Sequence, residues 1–196
     1  MRKLNLDDIA DLRAYERERE AFRAHIIDLK RRRRVGVGPF VTFVFENRET
    51  IRFQIQEMAR VERLMTDAAI QTELDIYNPL IPEPGQLSAT LFIELTSKLA
   101  LEEWLPRLVG VERAPVLRGP TFEARAVPDP DHEARLTREE VTASVHYVRF
   151  ELTPEQVAAF EQGPVELAVD HPEYQHATLL EGATVEELLR DLRGPA

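Results

Sequence analysis

Strict alternation over residues 87–95 is the strongest constraint on the fold. Leu87, Ala89, Leu91, Ile93 and Leu95 line one face of an extended chain, and Ser88, Thr90, Phe92 and Glu94 line the other. A period of two is the signature of a strand. Residues 142–152 repeat the pattern, with His146, Val148, Phe150 and Leu152 on the apolar face. A sheet with one apolar face needs a cover. Near the N-terminus Ile9, Leu12, Tyr15, Phe22, Ile26 and Leu29 recur at spacings of three, four and seven, which makes the apolar stripe of an amphipathic helix. That helix is expected over about residues 7–34, with Asp7, Asp8 and Asp11 at its positive end and Lys30-Arg31-Arg32-Arg33-Arg34 at its negative end. Val35-Gly36-Val37-Gly38-Pro39 reads as its stop signal.

The remaining segments mix strands and helices. Residues 40–46 are β-branched and aromatic, as a buried strand requires. Asn47 then caps a helix with Ile51, Ile55, Met58, Val61 and Met65 inward. The rival reading makes residues 50–56 the return strand of a hairpin, but it leaves the spacing of three and four on to Met65 unexplained. Residues 68–77 continue as helix, residues 114–127 as two short strands around Gly119-Pro120, and Pro128-Asp129-Pro130-Asp131 as a turn. Thr153-Pro154-Glu155-Gln156 combines a cap, a first-turn proline and a capping-box glutamine. After a strand over residues 165–170, Thr184 caps a terminal helix. Strands and helices do not alternate as in a doubly wound fold. The expectation is therefore a single α+β domain over residues 1–196, with a mainly antiparallel sheet or small barrel packed with helices and residues 1–35 as a long N-terminal helix on the body.

Composition excludes several chemistries. The chain has no cysteine, so disulfides, thiol nucleophiles, thiolate zinc and a protein-held iron–sulfur cluster are out of reach. Net charge is −10; residues 1–34 hold 11 Lys/Arg against 7 Asp/Glu, a balance of +4, and the rest carries −14. So acidic a body argues against a nucleic-acid groove. No signal-peptide or membrane-length apolar run occurs, so a cytoplasmic location with no membrane contact is expected. Walker, dinucleotide, Gly-x-Ser-x-Gly and His-Glu-x-x-His patterns are absent.

Two groups of residues remain as candidate sites. His146 stands on an apolar strand face, and an imidazole there is either a core residue hydrogen-bonded to a neighbour or a ligand. Asp170-His171-Pro172-Glu173-Tyr174-Gln175-His176 follows a strand and is either a polar turn or a source of ligands. Meeting in space, His146, His171, His176 and Asp170 would suit iron, manganese or zinc. The second group is polar. Glu57 and Arg60 stand three apart on the helix after Asn47 and can pair, and Arg149 can pair with Glu94 if their strands are neighbours. These four are candidates for ligand or partner contact. The basic run at residues 30–34 is either an anion grip or a helix end matched to its dipole.

The segments Phe45-Glu46-Asn47-Arg48, Phe53-Gln54-Ile55-Gln56-Glu57-Met58, Tyr77-Asn78-Pro79-Leu80-Ile81-Pro82, Val145-His146-Tyr147-Val148-Arg149-Phe150-Glu151-Leu152 and Val169-Asp170-His171-Pro172 resemble a bacterial family of unknown function. The likeness covers nearly the whole chain, outside about residues 111–140. Members are often encoded beside rubrerythrin-like iron proteins and iron–sulfur proteins similar to a heterodisulfide reductase subunit. The resemblance therefore implies an accessory or binding protein of an iron-dependent redox or oxidative-stress system, with an iron or iron–sulfur protein as partner. It carries over no catalytic residues. The alternative is a metal-dependent enzyme or metal-binding protein using the His/carboxylate set.

Overall fold

In a computed structural model, which describes residues 2–130 and 140–194, the chain is α+β. A 3-10 turn, Leu6–Asp8, precedes helix α1, Leu12–Arg33. The two are separate because the Asp8 carboxylate accepts the Asn5 N–H at 3.0 Å and Ile9 is extended, so the long helix starts only where Asp11 caps Ala14 N–H at 2.8 Å. The helix also ends one residue early. Arg34–Val37 is strand β1, not a stop signal, and it pairs antiparallel with β2, Val41–Glu46.

Helix α2 runs over Arg48–Glu62, and the Asn47 side chain accepts the Glu49 and Thr50 N–H groups at 3.0 Å. The hairpin reading of residues 50–56 is overturned. Ile51 and Ile55 are buried as expected, but the stripe stops there: Arg63 takes a left-handed conformation (φ 55°), and Val61 and Met65 are 69% and 80% exposed. Helix α3, Asp67–Tyr77, leads to β3, Gln86–Ile93; α4, Lys98–Arg107, leads to β4, Pro115–Gly119, and β5, Phe122–Arg125. The first residue of the expected turn at 128–131, Pro128, belongs to β6, Val127–Pro128, and Asp131 lies outside the described residues. Then follow β7, Val145–Glu151; α5, Pro154–Gln162; β8, Glu166–His171; β9, Tyr174–Leu179; and α6, Gly182–Arg193.

Every strand pairing among the described residues is antiparallel, in two sheets of order β1-β2-β3-β7-β6 and β5-β4-β8-β9. The sheets face each other around one apolar core that includes Phe43, Phe45, Leu91, Phe150, Leu117 and Val169. They join at both edges. The chain passes from β5 to β6 through Ala126, whose N–H bonds Pro115 O at 2.9 Å, and so changes sheet. At the other edge Thr178 donates to Gly36 O at 2.7 Å, and the Tyr174 hydroxyl donates to Val37 O at 2.7 Å. A second, smaller core of Leu4, Ile51, Ile55, Leu74, Leu80 and Ile81 lies where α2 and α3 pack with the N-terminal segment. The expected loop at residues 170–176 is instead a tight hairpin, with His171 opposite Tyr174 and Pro172-Glu173 at its tip.

Candidate functional site

The histidine–carboxylate set is spread over both sheets. His146, on β7, is buried on the core face, and its Nε2 lies 2.9 Å from both Thr142 Oγ1 and Ala143 O. His171, on β8, has Nε2 at 3.1 Å from Val109 O and accepts the Glu173 N–H at Nδ1, 3.2 Å. Strand alternation puts Asp170 on the opposite face, where its carboxylate binds Arg118 and Arg125. His176 is exposed on β9, its ring 4.5 Å from that of Tyr174. Among the described residues, no three His, Asp or Glu side chains are grouped as metal ligands would be.

The expected pairings of the polar candidates are replaced by others. Glu57 does not bind Arg60. It accepts from Arg19 Nε and Nη2 at 2.8 and 2.9 Å and from the Tyr15 hydroxyl at 2.7 Å, while Arg60 reaches Glu16 at 2.6 Å. All three partners lie on α1, so the polar face of α2 fastens the two helices. Arg149 does not bind Glu94. The β3–β7 register sets Arg149 against Ser88 and leaves it to Glu151 at 3.1 Å, while Glu94 takes Thr42 at 2.7 Å and Arg34 at 2.5 Å. Glu46, just before α2, is a buried carboxylate bonded by Thr50 at 2.5 Å and Thr90 at 2.6 Å. Burial, then the neighbouring Tyr77 and Glu46, push the Tyr147 phenol up to about 12.

The Arg19 hydrogen bonds, working against burial, hold Glu57 below the usual carboxylate range, with help from Tyr15. A carboxyl lowered on folding stabilises the protein above its unfolded value, and that stability is lost as pH falls through the folded value. Glu57→Gln is therefore expected to cost about 1–2 kcal/mol at neutral pH and to flatten the fall of Tm on acidification below roughly pH 4.5. Thermal scans of both proteins across that window check it. Parallel curves would remove Glu57 from the acid response.

The basic run meets the last helix. Arg33 is 1% exposed and donates to Asp191 at 2.6 and 3.0 Å and to Glu187 at 3.1 Å. Arg32 binds Asp28 and also reaches Glu187 at 3.1 Å, and Arg190 reaches Glu187 at 2.9 Å. One carboxylate therefore serves three guanidinium groups. Burial opposes the charge on Arg33, yet Asp191 and Glu187 together raise its pKa. Burial also dominates at Asp191, whose pKa stays raised in spite of Arg33, whereas at Glu187 the hydrogen bonds and charges of its arginine neighbours outweigh burial and lower it. The state this geometry favours is a charged Arg33 with Glu187 ionised beside it.

Above this network lies a cleft of about 1040 Å³, between α1, the start of α2 and α6. Its wall carries Arg2, Arg32, Arg33, Arg48, Arg190 and Arg193. His25 stands there too, 2.6 Å from Glu49. Against six arginines the lining holds three carboxylates, Glu49, Glu187 and Asp191. The partners outside it are shared or peripheral: Asp8 takes both Arg2 at 2.7 Å and Arg48 at 2.6 Å, and Arg193 binds Glu161. A guanidinium has five N–H donors, so shared carboxylates leave donors over. Arg33 Nε is buried without an acceptor. Arg2, His25, Arg48, Arg190 and Arg193 went unread in the sequence because no spacing links them. The readable signal was at the far end: Glu187 and Asp191 share a face of α6 with Leu188 and Leu192, and all four are buried.

Residues 3–192 match the model of a family described as protein of unknown function (DUF3501). A crystal structure of a protein of unknown function from Burkholderia pseudomallei K96243 is similar throughout. It has 36% sequence identity and a TM-score of 0.90, over 97% of this chain and 100% of that one. No curated protein sequence matches the chain.

Proposed function

Because the chain belongs to the DUF3501 family of unknown function, we propose its role from its own geometry: it is a binding protein whose arginine-lined cleft holds a multiply charged anion. One observation carries this reading. Six guanidinium groups surround a single cleft in a chain of net charge −10. Arginine's planar fork matches phosphate and carboxylate oxygens in pairs, and an acidic surround steers anions to a basic opening.

Tripolyphosphate and citrate, titrated calorimetrically into the whole protein, test it. Saturable binding that weakens with salt is expected. Arg190→Ser with Arg193→Ser should weaken it by about tenfold or more, the worth of one charge-assisted hydrogen bond. Arg149→Ser, away from the cleft, should leave it unchanged. Absence of saturation at millimolar ligand, or equal losses in both variants, would sink the proposal.

A binding role also agrees with the accessory role that the family resemblance implies, in which an iron or iron–sulfur redox protein is the partner. A chain without cysteine would act there by contact. Crosslinking at native expression separates the two ideas: if no iron protein is captured, that partner falls and the anion cleft stands or falls by the titration.

A further inference from the structure

A second cavity, of about 370 Å³, opens where the start of α1, the end of α2 and the start of α3 converge. It lies in the lower part of the roughly 300–1,000 Å³ range of small-molecule sites. Leu6, Ile9, Leu12, Leu64, Met65 and Ile70 supply an apolar wall. The backbone of that wall is already satisfied. Gln56, 0% exposed, accepts the Ala10 N–H at 2.7 Å and donates to Ala10 O at 3.1 Å, so no main-chain group of Ala10 is left to a ligand. Both helix starts cap themselves as well, with Asp11 on Ala14 N–H at 2.8 Å and Thr66 on Ala69 N–H at 3.3 Å. Three charged side chains line the cavity; the Asp11 carboxylate is engaged as the cap of α1, which leaves charge recognition to Arg13 and Asp67 at the rim. Among the described residues neither has a hydrogen bond or an ion pair.

One unpaired cation, one unpaired anion and an apolar chamber complement a small zwitterion with an apolar body. We infer that this cavity binds a free apolar α-amino acid, its carboxylate on Arg13, its ammonium on Asp67 and its side chain among Ile9, Leu12 and Ile70. Met65, 80% exposed on the link that follows the left-handed Arg63, stands at the mouth. Its unbranched thioether can fold over an occupant of variable shape. None of these residues lines the arginine cleft, so the two readings are independent.

The test uses the whole protein and three probes followed by NMR titration: L-leucine, 4-methylpentanoate, which lacks the ammonium, and isoamylamine, which lacks the carboxylate. Leucine is expected to saturate, with shifts at Ile9, Leu64 and Ile70, and each single-charge probe to bind about tenfold more weakly, one charged hydrogen bond being lost. Arg13→Gln should abolish the preference for leucine over isoamylamine, and Asp67→Asn the preference over 4-methylpentanoate. Both positions are exposed, so neither variant threatens the fold. No saturation by leucine up to about 10 mM, weaker than the millimolar range of the feeblest specific sites, would overturn the inference. So would equal affinity for all three probes, which would mark an apolar hole that ignores charge.

Discussion

Arg33→Ala is expected to lower the unfolding free energy by about 3–5 kcal/mol, the cost of removing one member of a buried ion pair. The guanidinium is 1% exposed, and it is the group that offsets Asp191, itself 2% exposed, and much of Glu187. Without it two carboxylates face each other in a poorly solvated space. Urea titration at neutral pH measures the effect. The double variant Arg33→Met, Asp191→Leu should recover most of it, because apolar groups of similar volume often replace a buried pair at little net cost. Equal losses in the single and double variants would mean that the network acts by shape, not by charge.

Phe150→Ala should cost a similar amount, about 3–5 kcal/mol by loss of contacts and creation of a cavity. The ring is fully buried between the sheets, 6.4 Å from that of Phe45. Its neighbour Arg149 faces the other side of β7, in an exposed pair with Glu151. Arg149→Ala should cost under about 0.5 kcal/mol, as surface substitutions do. Chemical denaturation of both variants compares adjacent residues with opposite orientations. Similar losses would contradict the facing that alternation assigns.

That facing was legible from the sequence, and the reason is local. Each residue of β3 and β7 reports its own side of the sheet through its polarity, and the capping residues Asn47 and Thr153 mark helix starts within four residues. β1 and β9 were not legible, although each pairs in a hairpin with the strand beside it in sequence, because neither announces itself by its composition. Gly36 reads as a breaker until β2 supplies its hydrogen-bonding neighbour Thr42. β9 is largely exposed, at a sheet edge, and carries no apolar stripe of its own. Ion pairs failed because their partners are remote in sequence. Glu57 and Arg60 are three apart and free to pair, yet each meets a charge on α1, at separations of 38 for Glu57 with Arg19 and 44 for Arg60 with Glu16. Arg33 was hidden inside a run of like residues. Its burial becomes predictable only when the acids on the inner face of α6 are set against it.

The tie between α1 and α6 also bears on the order in which the molecule can assemble. The partners of Arg33 lie 154 and 158 residues downstream. A ribosome therefore releases the first helix long before it releases the carboxylates that neutralise it. Until α6 emerges, the end of α1 is a cluster of unsatisfied positive charge that water hydrates better than any apolar surface does. Docking of the C-terminal end of the first helix thus waits for α6, whereas its earlier turns are fastened to α2 through Glu57 and Arg60 as soon as that helix has formed.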